Sequence, residues 1–173
     1  MKNLFTTMFV LVVGFSSAQN NPNSGYWQQH VDYKMNVNMD VKKYQYKGNQ
    51  ELVYTNNSPD TLKKVYYHLY PNAFQPGSAM DMRLQTISDP DKRMVRKFMK
   101  ENKEVKESRI STLKPNEIGY LNVTNFKQNG IVAQTRVVGT VLEVTLPQAI
   151  LPESSSNFTW DFDGQVRLQI RRS

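Results

Sequence analysis

The chain has 173 residues, 22 Lys or Arg against 15 Asp or Glu for a formal charge of +7, and no Cys. The missing Cys excludes disulfides, thiol redox chemistry and Cys-ligated metals, so packing has to hold the fold together. The charge is concentrated in residues 92–109, with eight Lys or Arg and three Glu, and no nucleic-acid module or interleaved aromatic pattern accompanies it, which argues against a nucleic-acid partner.

Residues 1–18 read as a signal peptide. Lys2 is followed by a twelve-residue apolar span, Leu4 to Phe15, and by the small residues Ser16, Ser17 and Ala18. The span falls short of the roughly 20 residues that cross a bilayer, so the expectation is cleavage after Ala18 and no membrane anchor. No Cys stands there to take a lipid. The remaining residues 19–173 have the length of one domain with its own core, exported to a periplasmic or extracellular space.

From Val31 to Val41 apolar residues alternate with Asp32, Lys34, Asn36, Asn38, Asp40 and Lys42, the period of a half-buried strand. "KGNQ" at 47–50 offers a Gly and an Asn for a hairpin turn into "ELVYTN". "NNSPD" at 56–60 reads as the next turn. In the strand over 62–70 both faces carry large residues, Val65, Tyr67 and Leu69 against Tyr66, His68 and Tyr70, which predicts a central strand or an interface. "PNAFQPGSAMD" then reads as an ordered crossing loop.

Asp89-Pro90 resembles a helix start, and Met94, Val95, Phe98, Met99 and Val105 recur at helical spacing, so a short amphipathic surface helix is expected over the basic run. Strands follow in "IGYLNVTNF", "IVAQTRVVG" and "TVLEVTLPQAI", with a hairpin at Asn129-Gly130. "FTWDF" sets Phe158, Trp160 and Phe162 on one face against Thr159 and Asp161, and Asp163-Gly164 is expected to turn the chain into "QVRLQI". Alternation begun there stops at Ser173 without a cap, so the domain is expected to continue beyond it. The fold class is mostly β, an antiparallel sheet or sandwich with one short helix.

Chemistry is sparse. His30 and His68 lie 38 residues apart with no zinc-binding spacing, so no metal site is expected in this chain. There is no Gly-x-Ser-x-Gly elbow and no phosphate loop. Asp161 and Asp163 share a strand face and could form a carboxylate pair, but more simply are the solvent side of a core strand. Nine tyrosines offer packing or a glycan- or protein-binding face. Asn56, Asn122 and Asn157 each begin an N-x-S/T glycosylation pattern, relevant only in a eukaryotic secretory route.

Three runs carry a resemblance: "YKGNQELVYTNNSPDTLKKVYYHLYPNAFQPGSAMDMR" at 46–83, "PNEIGYLNV" at 115–123 and "LEVTLPQAILPESSSNFTWDFDGQVRLQIRRS" at 142–173. They resemble the amino-terminal domain of bacterial zinc aminopeptidases of the aminopeptidase N and leukotriene-hydrolase (gluzincin) type, most of all exported peptidases of Bacteroidetes. The resemblance implies a saddle-shaped, mostly antiparallel β-domain packed on a catalytic domain of the same polypeptide. It also implies Zn held by His-Glu-x-x-His and a downstream Glu in that later domain, acting on peptide substrates. None of those residues is in this chain, so its catalytic, metal and substrate-binding residues are none. Arg167 departs from the family, where Pro is expected.

The functional expectation is thus a non-catalytic domain of an exported zinc aminopeptidase, inactive alone, with "HLYPNAFQPGSAMDMR" at 68–83 as a scaffold corner. The alternative is a free-standing exported β-module that binds a glycan or protein. A self-contained hydrolase using Asp161, Asp163 or His68 ranks last.

Overall fold

The computed structural model describes residues 25–88 and 90–167. The expected signal peptide, Asp89, and the alternation at Leu168 and Ile170 lie outside the described residues. Two antiparallel sheets face each other: a five-stranded sheet in the order β1-β2-β10-β6-β7 and a three-stranded sheet in the order β3-β9-β8, with a β4-β5 hairpin beside them. The strands are β1 His30–Asp40, β2 Gln45–Asn56, β3 Leu62–His68, β4 Val95–Lys100, β5 Lys103–Ser108, β6 Tyr120–Gln128, β7 Ile131–Val132, β8 Gln134–Val138, β9 Val141–Ile150 and β10 Ser154–Gln165. One α-helix, α1 Ala79–Thr86, and short 3₁₀ turns complete a mostly β fold.

The core lies between the sheets. Leu52, Phe126, Phe158, Trp160 and Phe162 from the larger sheet meet Leu142, Val144, Leu146 and Ile150 of β9. Phe126 stacks on Trp160 with ring centres 5.1 Å apart, and Tyr67 meets Trp160 edge-on at 5.2 Å. The alternation in "FTWDF" therefore places its aromatics inward, as its period requires. Burying rings of this size contributes most of the hydrophobic stabilisation such a domain has.

Several expectations are corrected. The first hairpin turns at residues 41–44, not at 47–50. Asp40 Oδ1 accepts from the backbone N–H groups of Lys42 at 3.0 Å and Lys43 at 3.1 Å, and Tyr44 takes φ 56°. The glycine that suggested a turn, Gly48, sits inside β2 for another reason. A Cβ there would stand 2.0 Å from the carbonyl oxygen of Asn36 and 2.7 Å from the Phe162 ring.

The helix expected over the basic run is instead the β4-β5 hairpin. Glu101 and Asn102 both adopt left-handed backbone, φ 50° and 58°, as a two-residue turn between twisted strands requires. Phe98 then faces Val105 across the ladder, and Arg96–Glu107 (3.8 Å) and Lys97–Glu104 (3.6 Å) pair their charges. Long charged side chains fit either a helix or a strand, so spacing alone misplaced them. The helix lies earlier, where part of a loop was expected: Ser78 caps α1 by accepting from the Asp81 N–H at 3.2 Å. α1 and the hairpin share a second small core of Leu84, Met94, Val95 and Ile110.

β3 is an edge strand rather than a central one, and Leu62, Val65 and Tyr67 turn toward the core, whereas Tyr66 and Tyr70 are exposed. Asp163-Gly164 makes no turn, because β10 runs through both to Gln165. Gly164 is needed for proximity: a Cβ would lie 2.3 Å from the Tyr46 ring.

β1 has the expected period but lacks the expected cover. Its register sets Tyr33, Met35, Val37 and Met39 opposite Leu52, Gln50, Gly48 and Tyr46, on the inward face. These four remain 49–61% exposed, because the three-stranded sheet does not extend over this edge of the larger one.

Candidate functional site

The segment 68–83 closes the first of the three runs that carry the resemblance, and it folds as a corner that joins β3, α1 and β6. His68 ends β3 with an exposed ring stacked on Tyr70, centres 5.1 Å apart. Leu69 is buried, and its N–H donates to the carbonyl of Thr140 at 2.7 Å. Pro71 starts a 3₁₀ turn, where its fixed φ suits the first turn and its missing donor costs nothing.

Asn72 then holds β6. The Leu121 N–H donates to its Oδ1 at 2.8 Å, and its Nδ2 donates to the Leu121 carbonyl at 3.2 Å. Farther on, Ser78 Oγ donates to the carbonyl of Ala73 at 2.7 Å. The buried Asp81 accepts from Gly77 N–H at 2.9 Å and from Gln85 Nε2 at 3.2 Å. Asn72, Ser78 and Asp81 are thus engaged in holding backbone. None is poised as a nucleophile beside a base, the pairing that covalent catalysis requires.

Arg167, where the resemblance expects Pro, sets its guanidinium 3.6 Å above the Phe74 ring. The departure therefore has a structural role, tying the end of β10 to the corner. Next to it Tyr70, Pro71, Phe74, Met80 and Val166 line an open, mainly apolar hollow of about 670 Å³. A second apolar cleft of about 270 Å³ enters between the sheets past Met35, Tyr46, Tyr67, His68 and Trp160. Burial there pushes the Tyr67 phenol well above its ordinary range, so it stays neutral.

The other candidates are not brought together. His30 lies on β1, 3.2 Å from Asp32, in a different sheet from His68. Among the described residues no three His, Cys, Asp or Glu side chains cluster to hold a metal ion. Asp161 and Asp163 do share the outer face of β10, opposite the core aromatics. Each accepts from an asparagine of β6, Asn125 Nδ2 at 2.7 Å and Asn122 Nδ2 at 3.2 Å, over a polar groove with Lys47, Asn49 and Thr124.

Residues the sequence did not single out carry much of the polar structure. Asn56, fully buried, donates to the carbonyls of Asp60 (2.7 Å) and Leu151 (3.1 Å) and accepts from Ser58 Oγ at 2.6 Å. Gln128 bridges β6 to β9 through Gln148, and Glu143 accepts from both Lys64 and Arg136 across the three-stranded sheet. The "NNSPD" turn and the glycosylation pattern both pointed to Asn56, but neither to these bonds.

No family model and no curated protein matches the chain. Among solved structures it is similar to a two-domain M1 zinc metallopeptidase variant bound to L-tryptophan, with 12% identity, TM-score 0.47 and 86% of this chain on 23% of that one. A form bound to L-arginine gives 12%, 0.46, 85% and 23%. The M1 zinc metallopeptidase from Deinococcus radiodurans gives 12%, 0.43, 78% and 20%. The chain therefore spans less than a quarter of these proteins, and likeness of this extent establishes neither family nor activity.

Proposed function

We propose that this chain is the non-catalytic amino-terminal domain of an exported zinc-dependent aminopeptidase, whose full-length form removes amino-terminal residues from peptides. The observation that carries the reading is the corner at 68–83. This part of the run that resembles the peptidase family folds into a hydrogen-bonded bracket, with Asn72 on Leu121 and Asp81 on Gly77, and holds no reactive pair. The apolar hollow beside it, lined by Tyr70, Phe74 and Met80, supports a role in packing against a neighbouring domain of the same polypeptide.

The described residues do not fit a zinc ion, since no ligand cluster forms among them. In this reading the metal, the general base and the groups that hold a substrate's free amine belong to a later domain. This chain's residues position that domain and take no chemical step.

The test is to read the coding frame past the Ser173 codon and to assay its product. A frame that continues into His-Glu-x-x-His with a downstream Glu, and a product that binds one zinc per chain and hydrolyses an amino-acid p-nitroanilide, supports the proposal. An immediate stop codon overturns it in favour of a stand-alone binding module, for which the exposed Tyr66 and Tyr70 would be the place to look.

A further inference from the structure

The hydrogen-bonding edge of β1 is separate from the corner and its hollow. β1 is eleven residues long, pairs among the described residues with β2 alone, and does so without a bulge from His30 opposite Thr55 to Asp40 opposite Gln45. It contains no Pro, the usual device that blunts an exposed edge. Its outer backbone N–H and C=O groups therefore form a ready template for another strand. Tyr33, Met35, Val37 and Met39 stand exposed along one face of it.

The charges on the other face indicate what that strand is. An antiparallel copy keeps apolar residues beside apolar ones only if the two-fold axis passes through a residue. With the axis at Val37, Lys34 stands opposite Asp40 of the second copy, and Asp32 opposite Lys42 just beyond the strand end. Met35 then faces Met39, and Asn36 faces Asn38. Moving the axis to Asn36 sets Asp32 against Asp40, and moving it to Asn38 sets Lys34 against Lys42, both repulsive. Centring it on Tyr33 opposes only Asp32 and Lys34. Among the described residues neither Lys34 nor Lys42 has an ion-pair partner within one chain, so both cations are available.

We infer that two copies of this chain join edge to edge through β1, antiparallel about Val37, to make one continuous sheet. The interface is isologous and closes on itself, so it yields dimers rather than fibres. It does not depend on the peptidase reading, because it uses neither the corner nor a later domain.

Sedimentation equilibrium of the purified chain from nanomolar to millimolar concentration tests this. The expected result is a monomer–dimer equilibrium. Val37→Lys sets two ammonium groups together at the axis and should weaken the dimer by about tenfold or more. Lys34→Glu and Asp40→Lys should each weaken the homodimer likewise, whereas mixing the two restores both opposite-charge pairs and should give a heterodimer about as strong as the original. Asp40 also caps its own turn, so circular dichroism checks that each variant is folded; Val37 is exposed and its substitution leaves that cap intact. A monomer at every concentration overturns the inference, and so does a dimer indifferent to Val37→Lys. Failure of the mixed variants to associate overturns the register.

Discussion

Asn72 grips Leu121 from both sides, taking the Leu121 N–H on Oδ1 at 2.8 Å and giving Nδ2 to the Leu121 carbonyl at 3.2 Å. Two residues 49 apart in sequence are thereby fixed as if they were neighbours in one ladder. Asn72→Ala leaves a part-buried donor and acceptor unpaired, and the expected destabilisation is about 1–3 kcal/mol, read as a lower urea midpoint with an unchanged slope. Asn72→Asp keeps the acceptor but sets a carboxylate oxygen against the Leu121 carbonyl, so it should cost as much as Asn72→Ala or more.

Asn56 is more deeply committed, with bonds to Asp60, Leu151 and Ser58 and no exposed surface. Asn56→Ala should cost more than Asn72→Ala by equilibrium denaturation, since several buried groups lose partners at once. In a eukaryotic secretory host, a glycan added to the nascent chain at Asn56 could not be accommodated and should block folding, read by circular dichroism, whereas one on Asn122, exposed on β6, should be tolerated.

Gly48 permits the close approach of β1, β2 and β10. Gly48→Ala would press a methyl group onto the Asn36 carbonyl and the Phe162 ring, and should cost about 1–3 kcal/mol or more through forced backbone movement. An unchanged melting temperature would show that the strands can separate there at no cost.

His68 ends β3 with its ring on Tyr70. His68→Ala should lower stability slightly and leave the zinc content of the proposed full-length peptidase unchanged. Loss of metal at an unchanged melting temperature would make His68 a ligand and reverse this reading.

Acid should weaken the three-stranded sheet. Hydrogen bonds from Arg136 and Lys64 hold the Glu143 carboxyl down from the ordinary 4.5 to about 2. A folded-state value below the unfolded one favours the native state above pH 4.5, and that contribution is lost as pH falls toward 2. A Lys64→Met, Arg136→Met double variant should show a flatter stability profile across that window. At alkaline pH the sign is opposite for Tyr67: burial raises its phenol, so its stabilising preference for the neutral form is lost as pH rises above 10. Tyr67→Phe should remove that limb.

Period-two alternation was the most dependable guide to the fold. It located β1 to within two residues and turned Phe158, Trp160 and Phe162 inward, because a strand's side chains have only two faces to choose between. Asn129-Gly130 turned as read, with both residues at positive φ. Turns built on side-chain capping were not legible: Asp40 gives no warning that it will cap a turn, whereas Gly48 and Gly164 look like turn residues and are there for contact. The β4-β5 hairpin was misread because Met94, Val95, Phe98 and Met99 satisfy a helical stripe as well as a strand pair, and only Glu101 and Asn102 in left-handed backbone decide between them. At the corner, Pro71 was readable as a strand end, but the partner of Asn72 lies too far along the chain for any local signal to name it.

The position of β10 at the centre of the larger sheet has a consequence for biosynthesis. Its neighbours β2 and β6 are both made earlier, and neither pairs with the other. A nascent chain that has reached only Ile150 therefore carries the hairpin of β1 and β2 with nothing on either outer edge, and the aromatic core without Phe158, Trp160 and Phe162. Closure waits for contacts between residues 98 to 120 apart, so this unit cannot close before β10 is made, and its folding is slow. During that interval a holding chaperone has its opportunity to engage the chain.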